Sequence, residues 1–475
     1  MTALWTFDAM VDATGGRLVP AGDGVVTGLS IDTRTLQPGD AFFAITGERL
    51  DGHDYVTAAL ASGASIAVVA AERLSSFADA GTKLVVPDVL AALRDLAAAA
   101  RRRSAAKIVA ITGSVGKTGT KEAMRRALSA CGSTHASAAS FNNHWGVPLS
   151  LARMPTDTDF GVFEIGMSAP GEIAPLVRLV RPHVAIVTTI AAAHAAFFSS
   201  EEAIADAKAE IFLGLEPGGT AVLNRDNRHF DRLAAAANAV GARIVGFGTD
   251  AAADVRLVDV RLEADRSEVE IEIFGRRLAY VLGAPGRHLV MNSLAIAAAV
   301  DAVGADLDVA LGALGGFSAP VGRGKRHVLH LAGGTAMLID ESYNANPTSM
   351  RAAFEVLALA PVGPGGRRIA VLGDMRELGA DGPALHAALA ADIEAAGIDR
   401  VHCAGPLMAA LYDALPAALR GARAETAAEL EPAIEADLAP GDVIMIKASN
   451  GSRLGPVVAH LCTRFAGGTA IGSGV

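Results

Sequence analysis

The feature that most constrains this chain is a rhythm between residues 107 and 248. Short apolar runs, 107-KIVAITG-113, 160-FGVFEIGMS-168, 184-VAIVTTI-190, 220-TAVLN-224 and 243-RIVGFG-248, recur with helical stretches between them. Runs that are apolar on both faces need cover on both faces, so they predict a parallel sheet flanked by helices. The next two runs, 255-VRLVDVRLE-263 and 268-EVEIEIFG-275, alternate apolar and polar residues and predict antiparallel strands appended at one edge. The rhythm restarts at 336-AMLID-340, 368-RIAVLGD-374, 400-RVHCAG-405 and 442-DVIMIKASNG-451. The spacers 363-GPGG-366 and 414-ALPAALRGARAE-425 read as loops or short helices.

Upstream of residue 85 the chain reads as a small α/β unit. The stretch 88-DVLAALRDLAAAARRRSAA-106 reads as a long alanine-rich helix that connects it to the rest. Arg101, Arg102 and Arg103 at its end are well placed against the helix macrodipole. The expected class is therefore α/β in three domains: a small N-terminal domain over 1–88, a central parallel-sheet domain over 107–318, and a C-terminal Rossmann-like domain over 320–475.

Composition removes several function classes. Aromatic residues are only 5% of the chain, too few for base-stacking platforms, and the net charge of −10 argues against a nucleic-acid partner. The three cysteines, Cys131, Cys403 and Cys462, lie far apart without metal spacing, which suits a reducing compartment. No signal-peptide pattern opens the chain, and no uninterrupted apolar run is long enough to span a bilayer. A cytoplasmic protein with no membrane insertion is expected.

The stretch 110-AITGSVGKTGTKE-122 follows one of the strands and precedes a helical pattern, which is the order of a phosphate-binding loop. Gly113 and Gly116 let the backbone N–H groups converge on an anion, with Thr112, Ser114 and Val115 completing the curl. Lys117 adds a point charge for the β and γ phosphates, and the Thr118 hydroxyl is a magnesium ligand type. A helix from Thr120 aims its positive end at the same anion. The textbook spacing G-x-x-x-x-G-K-[ST] is not met, since Gly113 precedes Gly116 by three, so an ordinary glycine turn with an exposed lysine is the plain alternative.

Three further residues bear on the same place. Glu164 ends an apolar strand, where a bare carboxylate is costly, so it is either salt-bridged or metal-bound. His194 lies just past the next strand end, within reach of the same ion. Lys208 falls between Ile204 and Phe212 at helical spacing, on the apolar face of 201-EEAIADAKAEIFLGL-215. It either snorkels to solvent or, with a lowered pKa, reacts with CO₂ to form an anionic carbamate.

The set of motifs is similar to that of the Mur ligase family over nearly the whole length. It rests on 28-GLSIDTRTLQPGDAFFAITGERLDGHDY-55, 111-ITGSVGKT-118, 142-NNHWGVP-148, 187-VTTIAAAH-194, 207-AKAEIF-212, 340-DESYNANPTSM-350 and 371-VLGDMRELG-379. The resemblance implies an ATP-dependent amide ligase acting through an acyl phosphate. It points to the branch that joins D-alanyl-D-alanine to a UDP-N-acetylmuramoyl-tripeptide, and to a monomer.

By the same resemblance, Ser30, Asp32, Thr33, Arg34, Gly47, Asp51, Gly52 and His53 hold the UDP-sugar end, and Asn142 and Asn143 face substrate and phosphate. Thr118, Glu164, His194 and carbamylated Lys208 hold two magnesium ions. Asn292, Arg323, Asp340, Asn344 and Asn346 contact ATP, and Lys117, Glu164, His194, Lys208 and Arg323 form the catalytic set. The chain departs from the pattern at Thr189, where an asparagine is expected, at the Ala-Ala-Phe-Phe after His194, and in the looser 447-KASNGSRL-454. It also lacks the Asp-Asn-Pro-Arg that reads the third amino acid in the preceding ligase. A folate polyglutamate type of ligase, a plain P-loop ATPase and a UDP-sugar binder are the rival readings.

Overall fold

The computed structural model describes residues 3–77, 81–138, 140–192 and 197–467. Its framework is three sheets laid down in chain order. The first has five strands, in the order Arg17–Val19, Lys83–Val86, Ile66–Ala70, Asp40–Phe43 and Gly28–Ser30, parallel apart from the outer pair made by Arg17–Val19.

The central sheet has nine strands. Its parallel part runs Arg243–Gly248, Thr220–Asn224, Val184–Val187, Lys107–Thr112, Phe160–Glu164 and Thr134–Ala136. The strand Val255–Leu262 joins it parallel to Arg243–Gly248 and pairs antiparallel with Ser267–Ile273, as the alternating pattern predicts for those two runs, and a further antiparallel strand, Arg276–Leu282, which that pattern does not include, closes the edge. The chain passes from Phe160–Glu164 across Lys107–Thr112 to Val184–Val187, so the sheet reverses direction beside the glycine-rich loop. Ligand clefts form outside strand ends at such switch points.

The third sheet has six strands, in the order Lys325–Leu331, Gly334–Glu341, Val443–Lys447, Arg368–Gly373, Arg400–Ala404 and Arg420–Ala424. All its pairs are parallel except the first. The last strand corrects the reading of 414–425 as loop or short helix. Its sequence, Arg-Gly-Ala-Arg-Ala, lacks the apolar run that marks a buried strand, and pairing with Arg400–Ala404 holds it extended.

The helix Val89–Arg103 is capped by Asp88, whose carboxylate accepts from Ala91 N. Its arginines do more than face the macrodipole. Arg101 is buried, donates to Val180 O and Arg181 O, both at 2.9 Å, and pairs with Glu216 at 3.2 Å. Arg103 lies 3.4 Å over the Trp5 ring. Trp5 in turn donates to Ala152 O at 2.9 Å, and one apolar core runs from Phe7 and Met10 through this helix to Phe163 and Phe212. The first two units are thus welded by shared burial, whereas the third has apolar clusters of its own.

The helix Pro347–Leu359 starts from a capping box in which Asn346 accepts from Ser349 N while Ser349 Oγ accepts from Asn346 N. Asn346→Ala removes one half of that exchange, and we expect it to cost about 1 kcal/mol. Calorimetry should read a fall of about 2–4 °C in the unfolding of the third unit. An unchanged transition would show that the cap carries no weight.

Candidate active site

Strand register brings the key groups to one level. Glu164 pairs with Ile111, and Val187 pairs with Thr112, so the ends of three neighbouring strands open together. The loop after Thr112 needs both its glycines. Gly113 has φ +151°, and a Cβ there would lie 1.9 Å from Thr188 Oγ1. Gly116 has φ +86°, and a Cβ there would lie 2.7 Å from Asn292 Nδ2. The loop is tied down by Thr188 Oγ1 donating to Val115 O at 2.6 Å, Ser114 N donating to Thr189 O at 2.9 Å, and Ser114 Oγ donating to Ala191 O at 2.9 Å. The helix begins at Lys117, earlier than the expected Thr120, so Lys117 and Thr118 lie inside its positive first turn.

Lys117 Nζ donates to Gly113 O at 2.7 Å, which folds the ammonium back over the loop. Burial pushes its pKa down, Glu164 pulls it up, and the charge of Arg323 pushes it down again. Arg323 thus reaches the phosphate loop from the third unit. Its guanidinium stacks 4.3 Å over the Tyr343 ring and donates to Ser140 Oγ at 3.3 Å.

Glu164 is 1% exposed. Its Oε2 accepts from Thr118 Oγ1 at 2.8 Å, and its Oε1 accepts from Asn142 Nδ2 at 2.7 Å. A buried carboxylate satisfied by neutral donors, beside a threonine hydroxyl, is an oxygen donor set that fits a hard divalent cation. Lys208 is also 1% exposed, so it does not snorkel. Burial holds its pKa well below the ordinary lysine range, and the nearby charge that acts on it is a second cation, Lys117. Both causes disfavour the charged form and favour the neutral amine, the form whose nitrogen attacks the carbon of CO₂. His194, the remaining expected ligand, lies outside the described residues.

The phosphate loop, Glu164, Asn142 and Arg323 open into a cavity of about 1020 Å³ between the central and third sheets, and the buried Lys208 is not among the residues that line it. Ser114, Val115, Gly116, Lys117, Thr118, Asn142, Asn143, Glu164, Asn292, Arg323, Asn344 and Asn346 all line it. Thr112, which is buried, and Gly113 are not among the lining residues. Asp340 is turned away: its carboxylate accepts from Gly322 N at 2.8 Å and Ser342 Oγ at 2.6 Å, shaping the segment that carries Arg323.

Among the described residues, none from 1–88 lines this cavity. Ser30 Oγ bonds the backbone of Asp32, and Asp32 pairs with exposed Arg34. His53 is buried between Asp51, at 2.6 Å, and Ala70 N, at 3.0 Å, so it braces its loop. A Cβ on Gly47 would lie 3.2 Å from the Trp145 ring, which places that loop against the segment holding Asn142 and Asn143.

Six residues that line the cavity or brace the loop have no role in the sequence reading: Ser140 and His288, and Thr188, Glu341, Tyr343 and Lys447, which stand inside the stretches 187–194, 340–350 and 447–454. Lys447 left a signal, a lone lysine closing the apolar run 443-VIMIK-447; Ser140 left none.

Models of the Mur ligase middle domain, the Mur ligase glutamate ligase domain and the Mur ligase family catalytic domain match residues 111–300, 327–450 and 25–101 respectively. An Escherichia coli protein named UDP-N-acetylmuramoyl-tripeptide–D-alanyl-D-alanine ligase is 38% identical over 84% of this chain and 86% of its own length. The chain belongs to the Mur ligase family. A Bacillus subtilis protein of the same name is 32% identical over 92% of this chain and 93% of its own. The crystal structure of MurF from Acinetobacter baumannii covers 97% of this Mur ligase with 99% of its own chain, at 29% identity and a TM-score of 0.82. A MurF ligase from Thermotoga maritima, crystallised with ADP, shares the fold at 24% identity and a TM-score of 0.76. No helix among the described residues is long and apolar enough to cross a membrane.

Proposed function

We infer that this Mur ligase is the ATP-dependent enzyme that joins D-alanyl-D-alanine to UDP-N-acetylmuramoyl-tripeptide, the last addition to the nucleotide-linked peptidoglycan precursor. The observation that carries the reading is one cleft in which a phosphate loop and a buried carboxylate meet groups from the third sheet, with the buried Lys208 close enough to Lys117 to feel its charge. Relatives of that name match most of the chain and support it.

The chemistry follows from the poor leaving ability of a carboxylate oxygen. ATP binds with its phosphates over Ser114–Thr118 and its γ-phosphoryl group facing Lys117 and Arg323. The peptide carboxylate of the UDP-tripeptide attacks that phosphorus, ADP leaves, and an acyl phosphate forms. The dipeptide amine then attacks the acyl carbon, and the tetrahedral intermediate expels phosphate. Lys117 and Arg323 stabilise the charge that builds on the phosphoryl oxygens, and closure of the third unit over the cleft keeps water from the acyl phosphate.

Thr118, Glu164, His194 and Lys208 as its carbamate are the residues that would hold magnesium, which supplies further charge neutralisation when bound. The carbamate forms when the neutral Lys208 amine adds to CO₂ and releases one proton.

We assign 1–88 to the UDP-sugar, with Ser30, Asp32, Thr33, Arg34, Gly47, Asp51, Gly52 and His53 forming or bracing that site and Asn142 and Asn143 continuing it. Residues 107–318 are assigned to ATP and 320–475 to the dipeptide and closure, with Asn292, Asn344 and Asn346 as nucleotide contacts. A neighbouring cavity of about 400 Å³, lined by Asn224, Asp226, His288 and Met291, suits the nucleoside part. We assign the enzyme to the cytoplasm, where nucleotide substrates are, as a monomer.

The test is product mass. With ATP, D-alanyl-D-alanine and UDP-tripeptide, we expect the UDP-pentapeptide together with one ADP and one phosphate for each amide bond. ADP formation that ignores the dipeptide and the UDP-tripeptide would point to a plain ATPase.

A further inference from the structure

Four lysine or arginine side chains among the described residues line the cavity: Arg94, Lys117, Arg323 and Lys447. Lys117 and Arg323 act on one another at the phosphate loop. Arg94 belongs to the helix that joins the first two units. Lys447 is the cation that the third sheet supplies from its own strand end. It closes Val443–Lys447, the strand across which that sheet reverses direction, with Glu341 and Leu372 as its register partners. Its side chain is 2% exposed, and its ammonium donates to Glu341 Oε2 at 3.1 Å and to Asn344 O at 3.0 Å. Two N–H groups are thereby fixed, and an ammonium carries one more.

The ligase reading, on which this inference rests, brings a dipeptide into the cleft amine first. The other end of that dipeptide is a carboxylate, and a carboxylate taken out of water needs a charged or multiply donating partner. A cation at the third sheet's switch point, held at two of its donors on a rigid strand end, is the partner the structure offers. We propose that Lys447 recognises the terminal carboxylate of the incoming dipeptide, with Glu341 and the Asn344 carbonyl holding the ammonium in place. Lys447 is then a specificity-determining residue for the acceptor and takes no part in phosphoryl transfer.

The experiment compares D-alanyl-D-alanine with D-alanyl-D-alaninamide, which differs only in lacking the negative charge. Full-length enzyme, Lys447→Met and Lys447→Arg are assayed with ATP and UDP-tripeptide held constant. The unaltered enzyme should favour the free acid by about 100-fold in kcat/KM, the scale of one desolvated charge pair. Lys447→Met should bring that ratio near one through a raised KM for the dipeptide, while the KM for ATP stays within about twofold. A purely structural role would depress acid and amide alike.

Equal use of acid and amide by the unaltered enzyme, or an unchanged ratio in Lys447→Met, overturns the assignment. Should Lys447→Met turn over neither acceptor, Lys447→Arg decides. A loss confined to the acid supports the proposal, and an equal loss for both overturns it. No amide product from the unaltered enzyme with the free dipeptide would instead remove the ligase reading beneath it.

Discussion

Lys208→Ala is expected to lower ligase turnover by about 10³-fold, with part of the activity returned by added acetate or another short carboxylic acid. The expectation starts from burial. At 1% exposure, and with Lys117 as the charge acting on it, an ammonium at this position is disfavoured relative to the neutral amine. A neutral amine kept only for packing would tolerate replacement by a small apolar residue, at the cost of a cavity. A carbamate would not, because alanine removes an anion from the metal-binding set. A small carboxylate can diffuse into the space that alanine leaves and restore that anion. Retention of most of the turnover by Lys208→Ala would place the residue among the packing groups. A lost activity that no carboxylic acid restores would remove the carbamate while leaving Lys208 essential.

Lys117→Ala is expected to remove at least about 10³-fold from turnover, with a smaller effect on the binding of UDP-tripeptide. The ammonium is already folded over the loop by its bond to Gly113 O, so it costs little reorganisation when phosphates arrive. Its charge matters most as the γ-phosphoryl group leaves ADP, and the loss should therefore appear in the chemical step. Single-turnover quench-flow separates that step from binding. A variant with a raised KM for ATP and an unchanged rate of chemistry would show that Lys117 serves ground-state binding alone.

Local chemistry was readable in the sequence, and long-range convergence was not. The phosphate loop announced itself because strand, glycines, lysine and helix are contiguous, and the structure needed only to move the helix start back to Lys117. Helical spacing between Ile204 and Phe212 was enough to turn Lys208 inward, and a carboxylate ending an apolar strand singled out Glu164. By contrast, Ser140, Tyr343 and Arg323 meet because two sheets face each other, which no local pattern encodes. Arg101 misled in the same way. A macrodipole argument accounts for an arginine at a helix end, but its partners Val180, Arg181 and Glu216 are far away in sequence. Asp340 sits in a conspicuous motif, yet its carboxylate holds the backbone of Gly322. The motif reported its importance and not its direction.

The account stands on one chemical claim, that the acid oxygen of the UDP-tripeptide becomes an oxygen of phosphate. The direct measurement uses UDP-tripeptide labelled with heavy oxygen in its terminal carboxyl, with ATP and D-alanyl-D-alanine, and mass analysis of the released phosphate. The account predicts one labelled oxygen in each phosphate released per amide bond formed. Unlabelled phosphate accompanying labelled water would show that the acid was never phosphorylated, and would contradict it.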